Sequence, residues 1–409
     1  MIQNTTPSGL KYAIKRTAGK AACCAISIKC GTRAEGDLHE GIAHFVEHCI
    51  FKGTQSRSAA AINTCLDKLG GELNAYTTKE EIVLHATVLK EDIYRAADLL
   101  LDIATRATFP ENEIEIEKGV VMDEIISYQD SPAEDIYDNF ESRLFEGHPL
   151  GRLTLGDLDS IKNASRQDLI NYYRANFIPA NMAFSLVADL DERTAEKKFL
   201  HLWDKFRPAD SIAIPEPAAP VPVPHRIFSL REDKDNHEAN LIIGSLAPSL
   251  YEEKERLCCV LLANILGGPA SNSFLNDTLR EKHGWVYAAE CNYTQYSDTG
   301  IAAICIGCEP ANLTRCLKAI SSILDKLKSK PLSDRALRAA KKQLYGQLAI
   351  SADSKESQCL SMGKSLLAFG RIVPDEESKK RIEAITAEDI QALAQKLWQD
   401  GTFSQLIYF

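Results

Sequence analysis

Apolar positions along this chain switch between two spacings, and the switches mark out its elements. Short apolar runs at 22–29, 82–89, 239–245 and 300–307 read as strands. Longer stretches at 93–107, 313–327 and 333–350 carry apolar residues at helical spacing. A further helix is predicted over 110–128. Pro110 suits its first position, Glu111, Glu113 and Glu115 crowd the positive end of the dipole, and Ile114, Val121 and Ile125 recur on one side.

The order of these elements repeats. Each half of the chain begins with strands, continues with a helix and further strands, and ends in long amphipathic helices. Between the halves lies a proline-rich stretch with Pro208, Pro215, Pro217, Pro220, Pro222 and Pro224, which reads as a semi-rigid extended linker. The expected fold is α+β, with two structurally similar domains, each a mainly antiparallel or mixed sheet packed with helices. The expected boundaries are 1–205 for the first domain, 206–225 for the linker and 226–409 for the second. A length of 409 residues suits two such cores.

Composition narrows the function classes. A net charge of −10 with no basic block speaks against nucleic-acid binding. No apolar run approaches the roughly 20 residues that span a bilayer, so no membrane partner is expected. The first residues show no basic region followed by an apolar core, and twelve cysteines without an export signal point to a reducing compartment. The expected location is the cytoplasm. Cys305 and Cys308 form a lone CxxC inside a strand and, like Cys23 and Cys24, read as small buried hydrophobes.

The chemistry centres on His44-Phe45-Val46-Glu47-His48. Two histidines four apart share a helix face, with Cβ atoms about 5–6 Å apart, so both rings reach one Zn²⁺. Glu47 lies beside them, placed to take a proton from a water at the metal. This order, H-x-x-E-H, is the inverted zinc-peptidase motif. A catalytic zinc needs a third protein ligand, and Glu124 on the predicted 110–128 helix is the candidate. Glu117, two turns earlier on the same face, would orient a ligand histidine. His39-Glu40 with His44 mimics the zincin motif H-E-x-x-H, but one extra residue turns the two rings about 140° apart. His39 is therefore expected on the surface, and Gly41 at a helix entry.

With these residues in hand, the chain resembles the pitrilysin/insulysin family of inverted H-x-x-E-H zinc metallopeptidases. The resemblance rests on His44 to Thr54 and the spacing on to Glu117, Val121 and Glu124. It extends to Gly70–Thr78, Asp130-Ser131-Pro132, His148-Pro149-Leu150-Gly151 and Leu279–Tyr287. The length matches the short two-domain branch that includes mitochondrial processing peptidase subunits and bacterial homodimeric relatives. Cys49 stands where a bulky apolar residue is usual.

The resemblance implies a Zn²⁺-dependent endopeptidase acting on peptides or unfolded segments. It gives Arg280 the part of holding the substrate main chain and Tyr287 that of donating to the developing oxyanion. Asn74 and Ala75 would lie on an edge strand that pairs with an extended peptide. One short chain supplies half of the four-domain clamshell of the long relatives. The resemblance therefore implies a dimer, homodimeric or with a hetero-partner, in which Arg280 and Tyr287 act from the partner subunit. The second half lacks H-x-x-E-H, and residues 335–351, the counterpart of the ligand helix, contain no Asp or Glu. Two other readings stand beside this one: a non-catalytic scaffold subunit and a peptidase that removes targeting presequences.

Overall fold

Strand Ala21–Lys29 is apolar at nearly every position because both of its faces are buried, and it lies at the centre of the first sheet. In the computed structural model, which describes residues 1–207, 221–224 and 226–409, the first half contains β1 (Ile2–Thr5), β2 (Lys11–Arg16), β3 (Ala21–Lys29), α1 (Ile42–Ile50), α2 (Ala59–Asp67), β4 (Glu72–Thr77), β5 (Glu81–Leu89), α3 (Ile93–Arg106), α4 (Glu111–Gln129), α5 (Pro132–Leu144), α6 (Leu158–Asn163), α7 (Arg166–Asn176), β6 (Met182–Ala188) and α8 (Glu192–Phe206). The second half contains β7 (Ser229–Glu232), β8 (Ala239–Ala247), α9 (Glu253–Gly267), a π-helical turn (Asn276–Lys282), β9 (Val286–Gln295), β10 (Gly300–Cys308), α10 (Leu313–Ser329), α11 (Asp334–Ser351), α12 (Lys355–Phe369), α13 (Asp375–Ala384), α14 (Ala387–Trp398) and β11 (Ser404–Tyr408). The proline-rich stretch falls almost wholly outside the described residues.

The expected repeat is present in the topology, except that the first sheet carries one additional edge strand, β1. The first sheet runs β1-β2-β6-β3-β5-β4 and the second β7-β11-β8-β10-β9. In both, one pair is parallel (β2 with β6, β7 with β11) and the pairs that follow are antiparallel. The α+β class with two mixed sheets is thus observed. The edge strands β4 and β9 occupy matching positions.

The compact units do not follow the contiguous division at 205 and 226. One unit holds Met1–Ile126, the described part of Arg152–Pro220, and Ile350–Val373; the other holds Ser127–Gly151, Val221–Ala349 and Pro374–Phe409. The physical cause is an exchange of helices. In the first unit one sheet face packs on the helices of its own half, through residues such as Ile26, Phe45, Leu100 and Phe184. Its other face (Ala13, Cys23, Ala25, Ala183, Val187) is covered by Cys359, Met362 and Leu366 of α12. In the second unit Ile136, Phe140 and Leu144 of α5 cover Ile242, Ile301, Leu406 and Tyr408. The opposite face packs on α9, α10 and α14. Helices α5 and α12 follow the corresponding helices α4 and α11, so the exchange is itself part of the repeat. Among the described residues no helix is long and apolar enough to cross a membrane.

Candidate metal centre

Helix α1 buries Ile42, Phe45, Val46, Cys49 and Ile50, which leaves His44, Glu47 and His48 on its remaining face. Its entry is fixed by backbone contact. Gly41 has φ 84° and Gly156 φ 76°; a Cβ at position 41 would lie 2.5 Å from the Leu155 carbonyl oxygen, and one at position 156 would strike the Glu40 carbonyl. Gly41 has no side chain with which to cap the helix, and Glu35 does so instead. Its buried Oε1 accepts from the Ala43 N–H at 3.0 Å. Arg152 holds Glu35 Oε2 at 3.1 Å and donates also to the carbonyls of Leu38 and Gly36.

The exit of α1 is stitched to the entry of α4. Thr54 bridges Ala107, and the Thr108 N–H donates to the Gly53 carbonyl at 3.0 Å. The same turn is anchored on buried Asp102, whose Oδ2 accepts from Thr54 Oγ1 and Ser56 Oγ, each at 2.7 Å, and pairs with Arg57. Phe109, one residue before Pro110, is buried with φ 52°, a strained value for a bulky side chain. Arg166 holds its carbonyl at 2.6 Å. Helix α4 therefore starts from a clamped point beside α1, with Ile114, Val121 and Ile125 buried as the spacing predicted.

This arrangement brings three donor atoms together. His44 Nε2 and His48 Nε2 are 3.1 Å apart, and Glu124 Oε2 lies 3.3 Å from His48 Nε2 and 3.8 Å from His44 Nε2. Ligands about 2.0–2.1 Å from a tetrahedral metal are about 3.3–3.4 Å from one another. The three atoms are thus spaced as three corners of such a site. Among the described residues this is the only group of three or more His, Cys, Asp or Glu side chains with ligand atoms so placed.

Tautomers and charge agree with that use. The His48 Nδ1–H donates to Glu117 Oε1 at 2.9 Å, which leaves the Nε2 lone pair directed at the cluster. Burial, with His48 alongside, pushes the His44 pKa down to about 3 and keeps its ring neutral. Glu47 is raised above the ordinary carboxyl range by burial, opposed by a hydrogen bond from Thr77 and by neighbouring His48. Thr77 Oγ1 donates to Glu47 Oε2 at 2.6 Å, so one carboxylate oxygen is held and the other is left for a substrate or a water.

Other expected residues lie elsewhere. Asn74 and Ala75 are on β4, which pairs only with β5 among the described residues and so presents an open edge. His39 is exposed and outside the cluster. Arg280 sits in the π-helical turn and Tyr287, 59% exposed, on β9. Both line a cavity of about 640 Å³ in the second unit, together with Asn264, Gly268, Asn276 and Leu344. Asn276 pins the π-helical turn by donating to the carbonyls of Gly268 and Ala289. The sequence reading did not single out Lys52, Thr77, Glu35 or Arg152 as members of the site. Lys52 and Thr77 lay within segments that carried the family resemblance; Glu35 and Arg152 had no signal beyond their charge.

Comparison with known proteins follows the same lines. A family model described as Insulinase (Peptidase family M16) matches residues 11–158, and one described as Peptidase M16 inactive domain matches 163–344. An uncharacterized zinc protease of Rickettsia felis is 30% identical over 379 residues, covering 93% of this chain and 90% of its own. The chain belongs to the insulinase (M16) peptidase family. Another relative, the mitochondrial-processing peptidase subunit beta of Mus musculus, is 27% identical over 405 residues, 96% of this chain and 81% of that protein. The crystal structure of a protease from Helicobacter pylori shares the fold with a TM-score of 0.90 at 18% identity, covering 100% of this chain and 98% of that one. The M16 model that matches the α1–α4 region spans His44, Glu47, His48 and Glu124 together.

Proposed function

We propose that this chain is a zinc-dependent endopeptidase acting on peptides or unfolded polypeptide segments. The observation that carries the reading is the convergence of His44 Nε2, His48 Nε2 and Glu124 Oε2 at tetrahedral spacing, beside a half-buried carboxylate, Glu47, that Thr77 orients. His44, His48 and Glu124 would hold Zn²⁺, which when bound would supply Lewis acidity for the scissile carbonyl and for a water. Glu47 takes the proton of the attacking water on its free oxygen and passes it to the leaving amine. Glu117 holds His48 in the tautomer that leaves Nε2 available. The open edge of β4, with Asn74 and Ala75, receives the peptide backbone as an added strand. By resemblance, Tyr287 and Arg280 steady the oxyanion and the substrate main chain from a second subunit.

The test is cleavage of a pool of unstructured peptides, read by mass spectrometry, with zinc content measured in parallel. Glu47→Gln is expected to keep stoichiometric zinc and to lose turnover by about 10²–10⁴-fold. Equal cleavage by both proteins would sink the assigned base. One relative is by name a subunit, which favours a second reading in which this chain works with a hetero-partner. Zinc-loaded wild type that cuts nothing alone would make that reading, or the scaffold, the leading one.

A further inference from the structure

Lys52 has been given no role in the chemistry so far, yet it touches the site. Its ammonium lies 2.6 Å from Glu117 Oε2, while the other oxygen of that carboxylate accepts from His48 Nδ1 at 2.9 Å. Glu117 is 4% exposed, and three quarters of the Lys52 side chain is buried. This is not a solvated surface pair. A carboxylate so far from water needs its charge matched, and one imidazole N–H does not match it.

The positions explain the arrangement. Lys52 follows His48 by four residues, so both side chains leave the end of α1 on the same side and meet α4 at Glu117. The Lys52 backbone is fixed as well, its N–H donating to the Cys49 carbonyl at 3.1 Å and its neighbour Gly53 held by Thr108. Glu117 is thus a strut between α1 and the turn that follows it. With Oε2 taken by Lys52, Oε1 has one direction left, toward His48 Nδ1. That contact sets the rotation of the ligand ring and the tautomer it presents.

We infer that Lys52 is a positioning residue of the metal centre, acting through Glu117 to orient His48 for the metal. The inference rests on the metal reading above but not on hydrolysis. It makes Lys52 and Glu117 a single functional unit, in which loss of either partner disables the same contact.

The experiment measures zinc affinity by competition with a chromophoric chelator on the full-length chain, with folding checked by circular dichroism. Lys52→Met is expected to weaken zinc binding about 10–100-fold, the usual cost of losing an outer partner of a metal-bound histidine. Glu117→Gln should weaken it similarly, and the double variant should be no weaker than Glu117→Gln alone. Lys52→Arg, which keeps the charge, should recover most of the affinity and guards against a folding defect in Lys52→Met. Wild-type affinity in Lys52→Met would overturn the inference, as would strictly additive losses in the double variant. A wild type that binds zinc but cleaves nothing would count against the peptidase alone, while these affinities would still decide the role of Lys52.

Discussion

Glu35 holds a carboxyl group out of reach of water, and its titration is a consequence of that. Burial raises its pKa to about 7, outweighing the bonds from the Ala43 N–H and Arg152 that favour the charged form. The sign follows from linkage. Folding favours the protonated form, so stability from this group is complete below pH about 4.5 and is lost as pH rises through about 7. Glu35→Gln carries no such titration. Urea midpoints at about pH 5 and about pH 8 are expected to fall further in wild type than in the variant. Equal changes in both would mean that the carboxyl ionises as easily folded as unfolded. Glu35 also marks the limit of what the sequence reveals at this scale. His44, Glu47, His48 and Glu124 were legible because helical spacing alone puts them on shared faces. Thr77, Lys52 and Glu35 reach the site from a strand end, a turn and a loop, and no local spacing encodes such meetings.

Two glycines in neighbouring helices carry opposite meanings. A Cβ on Gly363 of α12 would collide with the Ser27 hydroxyl of β3, because the helix lies directly on the sheet. Gly346 of α11 faces nothing within 4 Å. Gly363→Leu is expected to destabilise the protein by about 1–3 kcal/mol through overpacking. Gly346→Ala should stabilise it by about 0.5–1 kcal/mol through helix propensity. Thermal melts of the two variants read both signs; a Gly346→Ala protein that melts lower would show that something does pack on that side. The strands β3, β5, β8 and β10 were readable because burial on one or both faces writes continuous apolar runs. Helix α12 was not, since a face of Cys359, Met362, Gly363 and Leu366 interrupted by serines and lysine makes a faint stripe. The π-helical turn that carries Arg280 was likewise invisible, since nothing in its composition separates it from an ordinary helix end.

At the scale of the molecule, the repeat was visible in the order of elements, whereas the exchange of α5 and α12 was not. Sequence contiguity suggests contiguous domains, but the partner of a sheet face is chosen by packing. Residues 1–207 alone would leave Cys23, Ala25, Ala183 and Val187 bare, and 221–409 alone would leave Ile242, Ile301, Leu406 and Tyr408 bare. Each half is expected to aggregate when expressed by itself, and the two to become soluble when co-expressed. A soluble, cooperatively melting 1–207 fragment would show that the exchange is dispensable. The exchange also sets a clock during synthesis. The ribosome finishes β6, the last strand of the first sheet, long before it reaches Lys355–Phe369. At about 5–20 residues per second the wait lasts roughly ten to thirty seconds. For that interval the nascent protein carries a completed sheet with one greasy side open to water or to a chaperone, and the rate of translation governs how long it stays so.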